Sequence, residues 1–355
     1  MSTKTIGYEF FHGIAKKPSL DRMATLPGRT MNRLLLALGA AAVVIVSVTS
    51  LVNTAQAAWP DKPIRLIVPF APGGVTDAVA RILAPRLSEG FGQQVLIENR
   101  GGAGGTVGEA LLAKSAPDGY SMMLTADGVP ANPHLFKNLS YDIFRDLMPV
   151  SLVARVPLAV LVHPGVPANT IADFITHARG QGGKLNYASP GTGTSNHLYM
   201  EVLKQLGNFD MQHVPYKGGG PAMTDLMAGQ VQAILISVTL AAPQAKAGKV
   251  KALAVTAEKR APMLPQTSTF VEAGINNFAP HTWSALFLPA NTPEDIVGKV
   301  FEQYAKVVRQ PEVESRLRDL GAEVVMSSRA SFTALLRAEY ERLGKLIQER
   351  KISAE

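Results

Sequence analysis

Short apolar segments alternate with longer segments of helical periodicity along most of the chain, and this alternation limits the possible folds more than any other feature. Residues 63–70, 94–98 and 120–125 are rich in strand-forming side chains, whereas residues 194–206 and 331–350 repeat apolar side chains every three or four positions. Strands and helices in alternation are typical of a mostly parallel sheet with helices on both faces. The sequence therefore predicts an α/β fold.

Two places interrupt the alternation and indicate where the chain passes between domains. At residues 152–157 two strand-like segments follow each other without a helix, and a second irregular place lies near residues 279–281. The length that remains after removal of a leader also suits two domains of ordinary size. We therefore expect one domain made of residues 58–155 plus 282–355, a second made of residues 156–281, and a ligand cleft between them.

An apolar segment near the N-terminus predicts export from the cytoplasm. Residues 34–52 carry no charge, follow an arginine and precede the Ala-Gln-Ala of residues 55–57, as in a signal peptide cleaved after Ala57. A membrane anchor is the alternative, because about 19 apolar residues just span a bilayer. We interpret residues 1–57 as a signal peptide, with either a long polar leader or a true start at Met31, and expect the mature protein in the periplasm.

The composition excludes several classes of protein. The chain has no cysteine, which rules out thiolate zinc sites, cysteine nucleophiles and disulfides. Its formal charge of +7 falls to about +3 once residues 1–57 are removed, and the basic residues are scattered. So mild a charge does not indicate a nucleic-acid-binding protein. We expect neither a cofactor nor a nucleic-acid partner.

Two glycine-rich junctions between a strand and a helix suggest anion binding. The first junction, residues 68–77, reads VPFAPGGVTD, and the second junction, residues 187–197, reads YASPGTGTSNH. Glycine allows a tight turn and the close approach of a ligand. The first N–H groups of a helix lack internal partners, and the helix dipole attracts anions there. One junction in each expected domain would hold a small carboxylate at the ends of the strands without an arginine.

Each junction alone also has a plainer interpretation. Asp77 and Thr194 are suitable N-cap residues, which stabilise a helix by about 1 kcal/mol. A third segment, residues 213–221 (HVPYKGGGP), offers the ring of Tyr216, the cation of Lys217 and further backbone donors, or is merely a turn with proline at the first helical position. The occurrence of one junction in each expected domain favours binding.

The sequence contains no recognisable motif for catalysis or metal binding. Residues 101–108 (GGAGGTVG) do not match a nucleotide-binding motif, so we expect a tight loop that leads into a helix. The chain lacks G-x-S-x-G, S-x-x-K and H-E-x-x-H. His197 and His213 have no acidic residue at a spacing that predicts an orienting partner, and no cluster has metal-ligand spacing. We expect a binding protein without a metal site, with an exported hydrolase as the alternative.

Six segments, distributed in order over essentially all of residues 58–355, carry a resemblance to a known family. They are WPDKPIRLIVPFAPGGVTD (59–77), ENRGGAGGTVGEALLAKSAPDGY (98–120), NYASPGTGTSNHL (186–198), HVPYKGGGPAMTDLMAGQV (213–231), KVKALAVTAEKRAPMLPQTSTFVEAG (249–274) and FLPANTP (287–293). Together they closely resemble the Bug family, the extracytoplasmic solute-binding receptors of tripartite tricarboxylate transporters.

The resemblance implies a two-domain, periplasmic-binding-protein-like fold of the Venus flytrap type with the ligand in the cleft. It implies binding of di- and tricarboxylates, acidic amino acids or aromatic acids by the loops that match residues 70–77 and 189–197. The implied partner is a membrane permease with one large and one small subunit. An orphan receptor that feeds a membrane signalling sensor is the alternative, since its cleft chemistry is the same. We expect a monomer.

Two departures from the family pattern bear on the ligand. Relatives usually carry Ser or Asn where this chain has Ala126 and Asp127, and an ionised Asp127 would repel a second carboxylate or attract an amine, an amide or a hydroxyl. Relatives also often have an acidic residue and an Asn where this chain has Ile234, Ile236 and Ser237. The sequence therefore favours a monocarboxylate with an apolar, aromatic or amino-bearing tail over citrate.

The candidate ligand-binding residues lie in these loops or at strand ends expected to face the cleft. They are Phe70, Pro72, Gly73, Gly74, Asp77, Thr125, Asp127, Ser189, Gly191, Thr192, Gly193, Thr194, His197, Tyr216, Lys217, Gly218, Ser237 and Trp283.

Overall fold

A curled ten-stranded sheet runs through residues 59–354, the part of the chain that the computed structural model describes. The strands are β1 (Ile64–Val68), β2 (Val95–Asn99), β3 (Ser121–Ala126), β4 (Leu147–Val162), β5 (Asn186–Ser189), β6 (Gln212–Pro215), β7 (Ala233–Ser237), β8 (Lys251–Val255), β9 (His281–Pro289) and β10 (Glu323–Val324). Their order is β2-β1-β3-β9-β4-β7-β5-β6, and β8 and β10 also pair with β4.

Helices cover both faces of this sheet. They are α1 (Val75–Phe91), α2 (Thr106–Ala113), α3 (Asn132–Leu135), α4 (Ile171–Gly180), α5 (Ser195–Gly207), α6 (Gly219–Met227), α7 (Val238–Lys246), α8 (Glu294–Val308), α9 (Pro311–Asp319) and α10 (Arg329–Glu349). A short 3-10 helix, Ala103–Gly105, precedes α2. The predicted α/β fold class is confirmed.

The centre of the sheet is antiparallel, whereas the outer strands are parallel. Strand β1 pairs in parallel with β2 and β3, and β5 pairs in parallel with β6 and β7. Strands β4 and β9 instead run antiparallel to each other and to their other neighbours. Two parallel neighbours must be joined by a crossover, usually a helix, and this strand–helix–strand order is visible in the sequence. Antiparallel pairs between distant strands leave no such pattern. The mostly parallel pairing expected from the sequence therefore applies to the outer strands.

Strand β4 joins the two parts of the sheet. The two strand-like segments that meet at residues 152–157 form this one strand, because Val156 and Pro157 continue its pairing with β9. Its first part pairs with β9 and β10, and its second part pairs with β7 and β8. The expected passage between domains at residues 155–156 falls inside it.

The directions of the strands bring two sets of carboxyl ends together near the middle of β4. Strand β3 ends at Ala126, which pairs with Ser284 of β9, and β7 ends at Ser237, which pairs with Leu158 of β4. Because β3 runs in the same sense as β4 and β7 runs against it, their carboxyl ends point toward each other. Loops that follow parallel strands on both sides therefore converge on this region.

Side-chain alternation along β4 separates two layers of core. Leu158, Val160 and Val162 contribute to the cluster that also contains Phe174 of α4 and Leu203 of α5. The intervening side chains belong to a second cluster on the opposite face. Helix α5 thus lies on one face of the sheet, and its first turn lies where the strands end.

No helix in the described part of the chain combines the length and the apolar character needed to cross a bilayer. The predicted signal peptide, its cleavage after Ala57 and the possible start at Met31 lie outside the described residues.

Candidate functional site

The first junction is closed by a hydrogen bond from a glycine to the helix that follows it. Gly73 has φ = +93°, and its N–H donates to Asp77 Oδ2 at 2.9 Å. Arg81 Nε donates to the same oxygen at 2.9 Å, and Asn99 Nδ2 donates to Oδ1 at 2.9 Å. The Asp77 carboxylate, only 2% exposed, is therefore occupied by groups of the protein.

The role of Asp77 differs from the N-cap considered from the sequence. Gly74 is the N-cap residue of α1, and no side chain caps this helix. Burial opposes ionisation of Asp77, but the hydrogen bonds from Arg81, Gly73 and Asn99 outweigh it and lower the pKa of this carboxyl. An ionised Asp77 thus holds the turn in shape, and Pro72, Gly73 and Gly74 present their backbone at the surface.

The second junction repeats this arrangement with a different acceptor. Gly193 has φ = +76°, and its N–H donates to His197 Nδ1 at 3.0 Å. The His197 ring stacks on His213 with centroids 3.7 Å apart and planes 7° apart. Thr194 is the N-cap of α5, but its hydroxyl donates to Gly191 O at 2.8 Å and does not cap the helix.

The two stacked histidines are neutral at physiological pH. Burial lowers the pKa of His197 to about 3 and that of His213 to about 4. The His197 Nδ1 must be unprotonated to accept from Gly193. Ser189 Oγ lies 2.9 Å from Gly191 O, to which it can donate, and 2.7 Å from His213 Nε2, with which it forms a further hydrogen bond.

The third predicted segment joins the second junction directly. Tyr216 N–H donates to Ser189 O at 3.0 Å, and Gly218 N–H donates to Pro190 O at 2.9 Å. The Tyr216 hydroxyl donates to Asp225 at 2.7 Å, whereas Lys217 is exposed. The structure thus brings residues 189–197 and 216–218 together. Thr192 lies between Gly191 and Gly193 and is half-buried.

Three polar residues at strand ends carry buried oxygen atoms without a hydrogen-bond partner among the described residues. These atoms are Thr125 Oγ1, Asp127 Oδ2 and Ser237 Oγ. The other Asp127 oxygen, Oδ1, accepts from Thr282 Oγ1 at 3.1 Å. Burial raises the pKa of Asp127 to about 7, although the hydroxyls of Ser195 and Thr282 favour its ionised form.

Segments from both sides of β4 meet at this place. Ser195 is the first residue of α5, and Asp127 and Thr282 follow or begin strands of the other part of the sheet. A Cβ added at Gly193 would lie 2.5 Å from a methyl group of Leu135 in α3. The second junction therefore packs against the segment that follows β3.

Two predicted residues lie away from these loops or beneath them. Trp283 is buried, packs edge-on against Phe332, and lines a cavity of about 310 Å³ bounded by α5 and α10. Neither junction contributes to that cavity. The Phe70 ring lies beneath the 101–105 loop, 3.6 Å from the position of a Cβ at Gly105.

Sequence reasoning missed the residues that support the loops. Arg81 and Asn99 hold Asp77, and the buried Glu109 accepts from Asn132 Nδ2 at 3.0 Å and from the Tyr141 hydroxyl. Burial raises the pKa of Glu109 to about 7 against these hydrogen bonds. A single acid within the otherwise apolar helix TVGEALLA was the available signal. Within residues 59–354 no group of three or more acidic or histidine side chains is placed to hold a metal ion.

Comparison with known proteins identifies the family. A model described as "Tripartite tricarboxylate transporter family receptor" matches residues 79–352. The chain is 37% identical over 298 residues to an uncharacterised protein of Pseudomonas sp. strain P51 encoded in the tcbD-tcbE intergenic region, a match that covers 84% of this chain and 89% of the relative.

Solved structures agree. The fold is similar to the periplasmic binding protein BugD (TM-score 0.73, 33% identity) and to an R. palustris protein with adipate (TM-score 0.75, 33% identity), and each match covers 83% of this chain and 99% of the solved one. The Bug resemblance carried by the sequence motifs is confirmed. The chain belongs to the tripartite tricarboxylate transporter receptor family, whose members are periplasmic solute-binding proteins.

Proposed function

We propose that this receptor binds a small carboxylate between its two glycine junctions and delivers it to a two-subunit membrane permease from the periplasm. The observation that carries the proposal is the repeated geometry of the junctions. In each, a glycine with positive φ donates to the residue four positions later, which fixes a loop at the N-terminus of a helix. Backbone N–H groups at such ends bind anions.

A division of the chain into two domains is part of the proposal, because it would allow the ligand to be captured by closure. In the proposal, residues 58–155 plus 282–355 move as one domain and residues 156–281 as the other, with β4 and β9 as the connections. Ligand contacts from both sides would then favour the closed form. The proximity of Ser195, in the second proposed domain, to Asp127, in the first, supports a meeting of the two domains at this place.

The ligand is proposed to be a monocarboxylate with an apolar, aromatic or amino-bearing tail. Ile234 and Ile236 are apolar, buried residues of β7. Asp127 is acidic, so it would not attract a second carboxylate of the ligand. The family relative solved with adipate supports carboxylates as the class. Adipate is a dicarboxylate, so this relative does not support the choice of a monocarboxylate. Tight binding of citrate in preference to monocarboxylates would overturn that choice.

The Ser189–His213 contact is the one feature that favours the alternative, an exported hydrolase. The distance of 2.7 Å suits a nucleophile and its base. Ser189 is, however, fully buried, its hydroxyl donates to Gly191 O, and no described carboxylate hydrogen-bonds to His213. We propose that this pair shapes the loop. The S189A variant should retain its fold and bind ligand more weakly, and ester hydrolysis that disappears with S189A would support the hydrolase.

A ligand screen tests the proposed function. Purified receptor is heated with small acids from citrate and malate through glutamate to nicotinate and benzoates. A ligand at 100 times its dissociation constant stabilises by about 2.7 kcal/mol, which gives a shift of a few degrees. Binding of at least one acid, confirmed by calorimetry and lost with H197A but not with the control H177A, a half-buried histidine on α4 outside both junctions, supports the proposal. A denatured and refolded sample with no response to any acid would contradict it.

A further inference from the structure

Asp127 differs from the other buried acids of the described residues in its hydrogen bonds. The other buried acids have partners within the protein, whereas one oxygen of Asp127 has none among those residues. Glu201 is buried and pairs with Lys204 Nζ at 2.7 Å, and Glu109 receives hydrogen bonds on both oxygens. Asp127 is 4% exposed, and its Oδ2 has no donor in residues 59–354. Buried polar groups are nearly always paired, and although the Ser195 hydroxyl lies near this carboxyl, Oδ2 can accept a further hydrogen bond from a ligand.

The charge around Asp127 is also unbalanced. No Lys or Arg of the described residues forms an ion pair with it, and the charged group that influences it is Glu339 of α10, which is negative. Glu339 already accepts from Arg342 and from the Tyr199 hydroxyl. A buried carboxylate without a cation is unfavourable, and a cationic donor would supply both the missing hydrogen bond and the missing charge.

The position of Asp127 places such a donor next to the proposed carboxylate site. The Ser195 hydroxyl near Asp127 belongs to the first residue of α5, immediately after the loop that would hold the carboxylate. Thr125 lies two residues before Asp127, near the end of β3, and its hydroxyl is also buried without a partner among the described residues. A ligand carboxylate at the loop would thus have Asp127 Oδ2 and the Thr125 hydroxyl near its tail.

We propose that Asp127 is a specificity-determining residue that accepts a hydrogen bond from an ammonium group of the ligand, so that the receptor selects amino acids over unsubstituted acids and dicarboxylates. This inference rests on the proposed carboxylate-binding function. The loop holds the ligand carboxylate, Asp127 Oδ2 holds the ammonium group, and Thr125 Oγ1 accepts or donates one further hydrogen bond. A second carboxylate in this place would meet Asp127 and Glu339, both acidic.

Ligands with four carbons provide a matched test. Butyrate, 2-aminobutyrate, 4-aminobutyrate and succinate differ only in the presence and position of the second group, and five- and six-carbon sets extend the series. Calorimetry on the unliganded receptor should show at least one amino acid that binds tenfold or more tightly than both the unsubstituted acid and the dicarboxylate of the same length.

The D127N variant identifies the residue that is responsible. Asparagine keeps the size of the side chain and removes its charge, so D127N should retain the melting temperature of the unliganded receptor or exceed it, and should lose the preference for the amino member. The matched control is D295N, because Asp295 is exposed on α8 and pairs only with Lys299 there. D295N should keep the wild-type preference.

The outcomes separate the inference from the function on which it rests. Binding of unsubstituted acids or dicarboxylates as tight as that of the amino members, or an equal loss of all ligands in D127N, overturns the role of Asp127 and leaves a carboxylate receptor. Absence of binding by every acid in the series and in the wider screen overturns the proposed function. A preference for the amino member that D127N abolishes and D295N keeps supports both.

Discussion

The two glycine junctions have the same backbone geometry but different electrostatics. Gly73 donates to Asp77 and Gly193 donates to His197, each four residues ahead and each at the third position of the following helix. In the first junction the acceptor is an ionised carboxylate, and in the second it is a neutral imidazole. The chain thus uses two side chains of different charge to fix one type of turn.

The difference predicts which junction attracts the ligand more strongly. A negative charge at a helix N-terminus partly satisfies the helix dipole and competes with a ligand anion there. Arg81 offsets the charge of Asp77, but its side chain is 55% exposed, so solvent screens that contribution. The second junction carries no negative charge. We therefore expect the ligand carboxylate to depend mainly on the second junction, with the first completing the site on closure.

The largest expected effect follows removal of the neutral acceptor. H197A leaves the Gly193 N–H without its partner and removes the stack on His213, so we expect ligand affinity to fall by about 10- to 100-fold, equivalent to roughly 1.4–2.7 kcal/mol. Calorimetry at pH 7 measures it. H177A on α4 is the control, and thermal unfolding confirms that both variants are folded. An H197A affinity within twofold of wild type would contradict the importance of the second junction.

Acid should destabilise the second junction before the first. The pKa of His197 is about 3 in the folded state, against an ordinary value of 6.5. Between these two pH values the unfolded chain binds the proton more readily than the folded chain. The free energy of unfolding therefore decreases as the pH falls below 6.5. The pKa of Asp77 is lowered from 3.8, so its contribution is present above 3.8 and is lost only below that.

Urea unfolding at pH 6.5 and pH 4.5 tests this order. Wild type should lose about 2 kcal/mol more than H197N between these two pH values, because Asn does not titrate. D77N should show the wild-type slope in this range. Equal slopes for wild type and H197N would show that the imidazole is not held neutral by the fold.

A smaller effect is expected when the charged acceptor is removed. D77A also leaves a glycine N–H without its partner, but it frees Arg81 to attract an anion. We therefore expect affinity to fall by about 3- to 10-fold, less than in H197A. The double variant D77A/R81A removes the compensating cation and should bind more weakly than D77A. A loss in D77A that equals or exceeds the loss in H197A would reverse the proposed order of the junctions.

The smallest change in ligand affinity is expected for D77N, which removes the charge of Asp77 and keeps the shape of its side chain. D77N keeps an oxygen that can accept from Gly73, and removes the negative charge near the helix end. At low ionic strength D77N should bind a carboxylate within about twofold to threefold of wild type, and 0.5 M salt should reduce any difference because it screens exposed charges. A large loss in D77N at every salt concentration would show that the ion pair with Arg81, and not the oxygen, holds the turn.

The comparison also shows what the sequence could and could not predict. Strand–helix alternation predicts the outer strands and most helices, because local periodicity determines them. Glycine and hydroxyl positions predict the junctions, and the predicted ligand-binding residues Thr125, Asp127 and Ser237 carry buried oxygens without a partner among the described residues. The hydrogen bonds that close the junctions were missed, although Asp77 and His197 stand at the same offset, because the offset has meaning only once Gly73 and Gly193 have positive φ.

Features that depend on distant parts of the chain could not be predicted from local patterns. Trp283 is a predicted ligand-binding residue, and its ring also packs on Phe332 of α10, a contact between positions 49 residues apart in the sequence. Glu109 depends on Asn132 and Tyr141 for its hydrogen bonds, so its burial became visible only in the folded chain. The antiparallel centre likewise arises from pairings of β4 that no neighbouring segment encodes.

Strand β4 has a consequence for the order of folding. All of its partners, β7, β8, β9 and β10, come later in the chain. Its sixteen mostly buried residues therefore have no strand to pair with until residues far downstream have been synthesised. Pairing over such long sequence separations slows folding, and an unpaired apolar strand is prone to aggregate. Until its partners have been made, β4 is therefore a segment that a chaperone would protect.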